Sequence, residues 1–467
     1  MPNINVVQVN TSLQAPSPAP ANYLPISAIP VDPGVAPFVG PAKQYASTQE
    51  MIDDGFLATA DAVLSASQIF GQGAFTTTPP TRVVIINRAV AVAQVEEFQV
   101  DANADGTYEL FISLPLGSAP VLAATFAAVG QSLTQIKDAL LISLAAGAFA
   151  AIVTGASVDA DSGSVTNNLV GIPFVLTGTG PAGSADISVT NTTPSAGIYE
   201  DLDAAFPAAP FWEVIPDPAE STQVKYECAR WAEASAVANS TRRNVTTLQT
   251  DDADIQDAVE PNFSSTLVLL ARTRSFPLRH ANAVDKMSAA WFGRYGGQAP
   301  GSFAWHFGEQ AGTTETTDII YTQTNGDNFA AQRTAWVERD GPAASAALRT
   351  YALGPGAGGF FKVQKQAEDF WWLQTNAAII AAVAGGLNMD PEGIAALVAE
   401  VERVNQILGA TNVIDLDQTV VTPVPLENVP AAERAVGDYQ TTGGILVETL
   451  LIPKLRAVRV SAVFNLA

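Results

Sequence analysis

Few residues in this chain have the types and spacing that chemistry needs. In "DANADGTYEL", Asp101, Asn103, Asp105 and Gly106 occupy positions 1, 3, 5 and 6 of a calcium loop of the EF-hand kind. Position 12 is Ile112, where a bidentate Glu is needed, and the flanks alternate like strands. An Asp-Gly turn between strands accounts for the same residues, so the segment is a weak calcium candidate beside an ordinary turn. "TDDADI" brings Asp251, Asp252 and Asp254 together after an expected strand, the end at which open α/β sheets hold ligands. No phosphate loop, no GxGxxG after a strand and no Ser-His-Asp spacing accompanies them, and solvated turn acids are the better reading. The chain holds two histidines, His280 and His306, and one cysteine, Cys228. That inventory is too small for an intramolecular disulfide and makes thiolate zinc sites and most hydrolytic triads improbable. Cys228, beside Trp231 on an expected helix, reads as a small buried apolar residue. Trp371 and Trp372 read as core and rim packing ahead of a binding platform. No catalytic residue, metal or cofactor is expected.

The rest of the composition is that of a large globular chain. Of 467 residues, 48% are hydrophobic and 15% charged, enough apolar surface for several cores. A net charge of -23 argues against broad binding to nucleic acid or anionic membrane, both of which need positive surface. The first twenty residues lack a basic region followed by an apolar one, so no signal peptide is expected. "LLISLAAGAFAAIVTGA" (Leu140 to Ala156) is short and rich in Ala and Gly, and is expected to be a buried element instead of a membrane span.

The elements that would position these residues follow from patterning. Residues 3–12 read as a strand, followed by a Pro-rich stretch from Pro16 to Pro41 that stays extended, so the strand sits on a stiff arm. A frayed tail is the alternative. Ser47 and Glu50 have capping-box spacing, "TADAVLSASQIF" is helical, and Val83–Ile86 is a strand covered on both faces. From Gln94 to about Thr193 the pattern is mostly β and turn, with one helix capped by Ser132 and Gln135 and a shared face of Ile136, Leu140 and Leu144. Strand–helix alternation then resumes through "FWEVIP", "STQVKYECARWAEASA", "NVTTLQT", "STLVLLART" (read as a buried strand) and the helix "HANAVDKMSAAWFGRY", which implies a largely parallel sheet. "YALGPGAGG" reads as a flexible turn. Asp390 and Pro391 start a helix with an apolar stripe of Ile394, Leu397, Val398, Val401, Val404, Ile407 and Leu408, which Gly409 stops. Leu455 to Leu466 alternates with period two, as a half-buried strand does.

One charge feature stands out. Arg272, Arg274, Arg279, Lys286 and Arg294 fall within 23 positions against a single acid, Asp285. In so acidic a chain, a basic patch has the surface of another copy as its partner, with charge setting register and orientation. Local ion pairs within the fold are the alternative.

Taken in order, these segments resemble the contractile tail sheath proteins of phages, in the group with an inserted β-rich domain. The most specific stretch is "MSAAWFGRYGGQAPGSFAWHFGEQAG", with Gly293-Arg294, Pro300-Gly301-Ser302, Trp305 and Gly312. It is similar to the family's Gly-Arg, Pro-Gly-Ser, Trp and Gly pattern. "FVGPAKQYASTQEM", "RVVIINR", "FWEVIP", "EDFWWLQTNAAI" and "MDPEGIAALVAEVERV" follow in family order. The Pro-rich arm is unusually long, and "TNGDNFAAQRTAWVERDG" follows the family only loosely.

The resemblance implies an α/β (α+β overall) multi-domain fold. Residues 1–25 would be an N-terminal strand arm and linker, 26–93 the first part of a mixed α/β core, and 94–193 an inserted β-rich outer domain. Residues 194–350 would complete the core, 351–444 would form a C-terminal domain facing a tube, and 445–467 a C-terminal strand arm. The family implies that the arms, through Ile4, Val6, Val7, Val9, Val458, Val460, Phe464 and Leu466, add strands to neighbouring subunits. It also implies that an element of the C-terminal domain meets an inner tube, for which the helix Pro391 to Leu408 with Glu400, Glu402 and Arg403 is the candidate. The implied partners are further copies in stacked hexameric rings, a tail tube protein, and baseplate and terminator proteins. No direct nucleic acid contact and no membrane insertion is implied, and the setting is a virion tail assembled in a host cytoplasm. Another self-assembling tail or surface-layer subunit, and an α/β hydrolase built around Asp251, Asp252 and Asp254, are the competing readings.

Overall fold

A computed structural model describes residues 6–11, 26–74, 76, 78–234, 243–282, 285–298, 305, 308–310, 322–339, 348–352, 355–384, 391–410, 414–424, 444–451 and 458–466. The centre is a nine-stranded sheet. Its order is Gly308–Gln310, Leu348–Tyr351, Ala335–Arg339, Ser275–Arg279, Val245–Thr250, Glu213–Val214, Ser27–Val31, Val83–Asn87 and Ala42–Tyr45. The strands from Ala335–Arg339 to Val83–Asn87 run parallel, and antiparallel strands close both sides. This is the sheet that strand–helix alternation requires, because parallel neighbours need a crossover between them.

The run Val83–Ile86 shows how the sheet is buried. Val83 and Ile85 enter one core with Met51, Ile69, Met287, Trp291 and Phe292. Val84 and Ile86 enter the other with Leu202, Tyr226, Cys228 and Trp231. All four are fully buried, so each contributes about 1.5–3 kcal/mol of transfer free energy. The helices Asp61–Phe70 and Met287–Tyr295 pack together on the first face. Gly293 permits their approach: a Cβ there would lie 2.5 Å from the Ile69 carbonyl oxygen.

Residues Val95 to Thr193 form two sheets of their own. One has the order Val175–Thr179, Gly106–Ser113, Val121–Ala128; the other has Ile187–Thr193, Val95–Val100, Ser162–Asn167, Val153–Ser157. The helix Leu133–Ala146 closes their shared core of Phe98, Tyr108, Leu110, Ile136, Leu140 and Leu144. Its capping box forms as the spacing requires: Ser132 Oγ accepts from the Gln135 amide, and the Gln135 side chain accepts from the Ser132 amide. A bridge between Val92 and Ala196 forms the neck to the central sheet. A second tie runs from Arg272 Nη2 to the Leu116 carbonyl at 2.9 Å.

Four local expectations change. "STLVLLART" is not a strand; it holds the helix Phe263–Leu269, capped by Asn262, whose Oδ1 accepts from the Ser265 amide at 2.9 Å. Phe263 and Leu267, four apart, are buried while Leu269 is exposed, which is a helical period. The helix expected from His280 begins only at Met287, because Gln249 Nε2 recruits the Asn282 and Asp285 carbonyls (3.2 and 2.6 Å) ahead of it. Within "YALGPGAGG", Gly356 and Gly358 are packing residues: a Cβ on them would lie 2.5 Å from Phe276 Cδ1 and from Thr273 Cα. Gly409 lies inside the helix Pro391–Ala410 and admits Leu416, whose Cγ would be 2.4 Å from a Cβ there.

Gly293→Ala is expected to cost about 1–3 kcal/mol through this backbone clash, read as a lower urea midpoint of the full chain with an unchanged slope.

Candidate assembly interface

Both ends of the chain meet in one four-stranded sheet, in the order Val6–Thr11, Val458–Leu466, Gly444–Leu451, Ile414–Val424. The last strand is one of its two inner strands. On one side it pairs antiparallel with Gly444–Leu451, from Leu446 opposite Val463 to Leu451 opposite Val458. On the other it pairs parallel with Val6–Thr11, from Val6 opposite Ser461 to Thr11 opposite Leu466. The outer strand Ile414–Val424 breaks register between Asp415 and Val420 and carries Asp415, Asp417 and Pro423. A register break, charges and a proline are devices that blunt a sheet edge.

This sheet is joined to the central one through two helices. Pro391–Ala410 packs against Ile414–Val424, and Lys362–Ala384 packs against Pro391–Ala410. Trp371 Nε1 donates to Asn405 Oδ1 at 3.0 Å, and Val401 and Val404 are buried beside that contact. The other end of Lys362–Ala384 is anchored by two buried ion pairs. Lys362 Nζ donates to Glu213 Oε1 at 2.5 Å and to Thr247 Oγ1 at 2.7 Å, bridging two neighbouring strands. Two turns on, Asp369 is fully buried and pairs with Arg274, and it accepts from Trp212 Nε1 at 2.8 Å.

Aromatic rings complete the anchor. Lys362 Nζ lies 4.3 Å from the Trp291 ring centroid and 4.1 Å from that of Trp305, as cation–π contacts require. Trp305 Nε1 donates to Gln366 Oε1 at 3.0 Å on the same helix. Burial pushes the Lys362 ammonium down to about 8 against the opposing pull of Glu213. Burial raises the Glu213 carboxyl despite Lys362 and Thr247. A cation in the first turn of a helix also meets the unfavourable end of the dipole, so Lys362 depends on Glu213 and the two indoles.

The residues singled out from sequence have different fates. Val6, Val7, Val9, Val458, Val460, Phe464 and Leu466 all lie on the paired terminal strands; Ile4 lies outside the described residues. Glu402 and Arg403 are exposed on the face of Pro391–Ala410 away from Val401 and Val404, and Glu400 is half-buried at its flank. Arg403 Nη2 donates to Glu400 Oε1 at 2.6 Å and holds that carboxyl below the usual carboxylate range, which leaves Glu402 as the uncompensated charge of the three. Ile407 is exposed, so the apolar stripe is narrower than its spacing implied.

The basic run is corrected. Arg274, Arg279 and Lys286 are buried, and a buried cation cannot face another copy. Arg274 serves Asp369, and Lys286 pairs with Asp217 at 2.5 Å and Asp61 at 2.8 Å. Arg272 and Arg294 are half-buried, with Arg294 5.7 Å from the Tyr295 ring centroid. The acids that meet these cations, Asp217, Asp61 and Asp369, are remote in the chain, so no local pattern marks the pairs.

The acidic candidates are turn residues. Asp101 Oδ2 accepts from the Ser188 amide and Asp105 Oδ1 from the Gly130 amide, so the two carboxylates serve different loops, and Asn103 is exposed. The flanking strands belong to different sheets, which makes this segment a corner between sheets. Asp252 accepts from the Asp254 and Phe263 amides. Among the described residues no group of three or more His, Cys, Asp or Glu is placed to hold a metal. Among them, too, no helix is long and apolar enough to cross a membrane. Cys228 is buried, and Trp371 and Trp372 are buried packing residues.

No protein-family model and no curated protein matches the sequence. Among solved structures, the sheath tail protein from Desulfitobacterium hafniense aligns with 98% of this chain and 100% of its own, at 10% identity and a TM-score of 0.51. A cryo-EM structure of an anti-feeding prophage baseplate aligns with 55% of this chain and 68% of its own, at 8% identity and a TM-score of 0.38, too distant to carry an argument. The first likeness is one of fold: this chain has the mixed α/β fold of that sheath tail protein.

Lys362→Met alone is expected to cost about 3–5 kcal/mol, because it leaves Glu213 buried without its cation. The double variant Lys362→Met/Glu213→Gln is expected to cost less than either single change. Between about pH 8 and pH 10.5 the unfolded chain keeps the Lys362 proton that the folded chain has lost, so this lysine makes stability rise with pH. Urea unfolding across that window should show stability changing more positively with pH in the unmodified chain than in Lys362→Met, since the other titrating groups are common to both.

Proposed function

We propose that this chain is the structural subunit of a contractile tail sheath, polymerising into a helical tube around an inner tube and shortening to drive that tube through a host envelope. The observation that carries the reading is the fold likeness over 98% of this chain to a sheath tail protein. The sheet built from both chain ends supports it: terminal strands that pair in register can make the same pairs with a neighbour. Each inter-strand hydrogen bond contributes about 0.5–1.5 kcal/mol net, so a few per arm, repeated through a lattice, make a continuous mesh.

In this reading the extended tube is a kinetically trapped state. A trigger at the baseplate lets one ring rotate, each subunit moves as a nearly rigid body, and the arms keep neighbours attached. The anchor of Lys362 and Asp369 transmits force from the terminal sheet to the central one. The face with exposed Glu402 and Arg403 and half-buried Glu400 meets the tube, and residues 94–193 face outward. The role requires no catalytic group or cofactor.

Negative-stain electron microscopy of the purified chain at rising concentration tests this. Hollow striated tubes are expected, and trimming Leu455 to Ala467 is expected to abolish them while the subunit stays folded. A monomer that forms no tubes even when seeded overturns the reading. Reversing Glu400 and Glu402 to Lys is expected to weaken co-assembly with the inner tube without preventing empty tubes; unchanged co-assembly removes this face from the contact.

A further inference from the structure

We infer that the soluble subunit is held back from assembly by its own last strand, which folds onto the edge that a neighbour's last strand takes in the tube. The inference rests on the sheath reading above. It concerns a state of the single chain that strand exchange by itself does not require.

The observation is the topology of the terminal sheet. Within one chain, Val458–Leu466 occupies the full Leu446–Leu451 edge of its neighbour and is itself covered by Val6–Thr11. The backbone groups of Gly444–Leu451 that would template an incoming strand are therefore engaged on both sides, by Ile414–Val424 and by Val458–Leu466. The connection is short: residues 452–457 link the two antiparallel strands, so closure within a chain is local and fast compared with capture of a second molecule. The opposite end of the sheet is blunted separately, by Asp415, Asp417, Pro423 and the register break in Ile414–Val424. An incoming last strand must thus displace the resident one.

The energetics give this closure a regulatory sense. The same strand pairs form within a chain or between chains, so exchange changes the number of backbone hydrogen bonds little. The balance is set by concentration. A tethered strand acts at an effective concentration in the mM range, far above that of a free subunit in dilute solution. On a growing tube the neighbour's strand is held in place, and that advantage vanishes. A chain closed on itself therefore stays monomeric until it meets a nucleus, and the Gly444–Leu451 edge stays covered.

Cysteine pairs test the inference in the full chain. Thr449→Cys/Val460→Cys and Leu450→Cys/Arg459→Cys place thiols on opposed positions, and Cys228 is buried away from them. Opposed pairs alternate between wide and close spacing along an antiparallel ladder, so one of the two variants falls on a close pair suited to a disulfide. In dilute solution, oxidation is expected to give an intrachain-crosslinked monomer on a non-reducing gel. That monomer is expected to enter tubes at least about tenfold less than the same protein after reduction. Crosslinks that form only between chains overturn the inference, as do locked subunits that assemble as well as reduced ones while the sheath reading stands. Failure of the unmodified, seeded chain to form any tube overturns the sheath reading, and this inference with it.

Discussion

The architecture depends on how one helix is seated. Lys362–Ala384 begins bonded to two strands of the central sheet and, from Trp371, lies beside the helix that carries the terminal sheet. Its seat is polar: Lys362 on Glu213 and Thr247, and Asp369 on Arg274 and Trp212. Two buried charge pairs add little net stability relative to well-packed apolar groups, but removal of one partner is severe. Such a seat therefore fixes where the helix lies and how it is turned more than it adds to the total free energy. In the reading proposed, force passes from the ends of the subunit to its centre, and that fixed geometry would carry it.

The stretch that best carries the family likeness lies around this seat. Trp291 and Trp305 face Lys362, Gly293 lets two helices touch, and Arg294 lies against Tyr295. These are packing roles. Pro300, Gly301, Ser302 and Gly312 fall outside the described residues. The resemblance thus rests in part on residues that maintain a core, which accords with a fold likeness that persists at 10% identity.

Function, in the reading proposed, sits at the other end of the molecule, in backbone pairing. Strand addition uses main-chain groups that every residue has, so it tolerates almost any alternating sequence. The terminal strands have no chemical signature beyond period-two patterning, and the chemistry-bearing residues elsewhere resolve into caps and turns: Asp252 on two amides, Asp101 and Asp105 on separate loops.

Sequence alone determined what is local. A continuous apolar run gave Val83–Asn87, period-two alternation gave Val458–Leu466, the Ser132–Gln135 spacing gave a capped helix, and strand–helix alternation gave a parallel sheet. These signals act over a few residues, through the hydrogen bonds and burial that a single element needs. Where a local signal was ambiguous, as in the short apolar run Phe263–Leu269, periodicity could not separate strand from helix. The tertiary structure alone decided which charges meet. Arg274 and Lys286 looked like a surface patch because their partners, Asp369, Asp217 and Asp61, lie far off in the chain. It also decided that the first and last strands are neighbours. Both are contacts between residues that no local pattern links, and only the folded chain brings such residues within reach of each other.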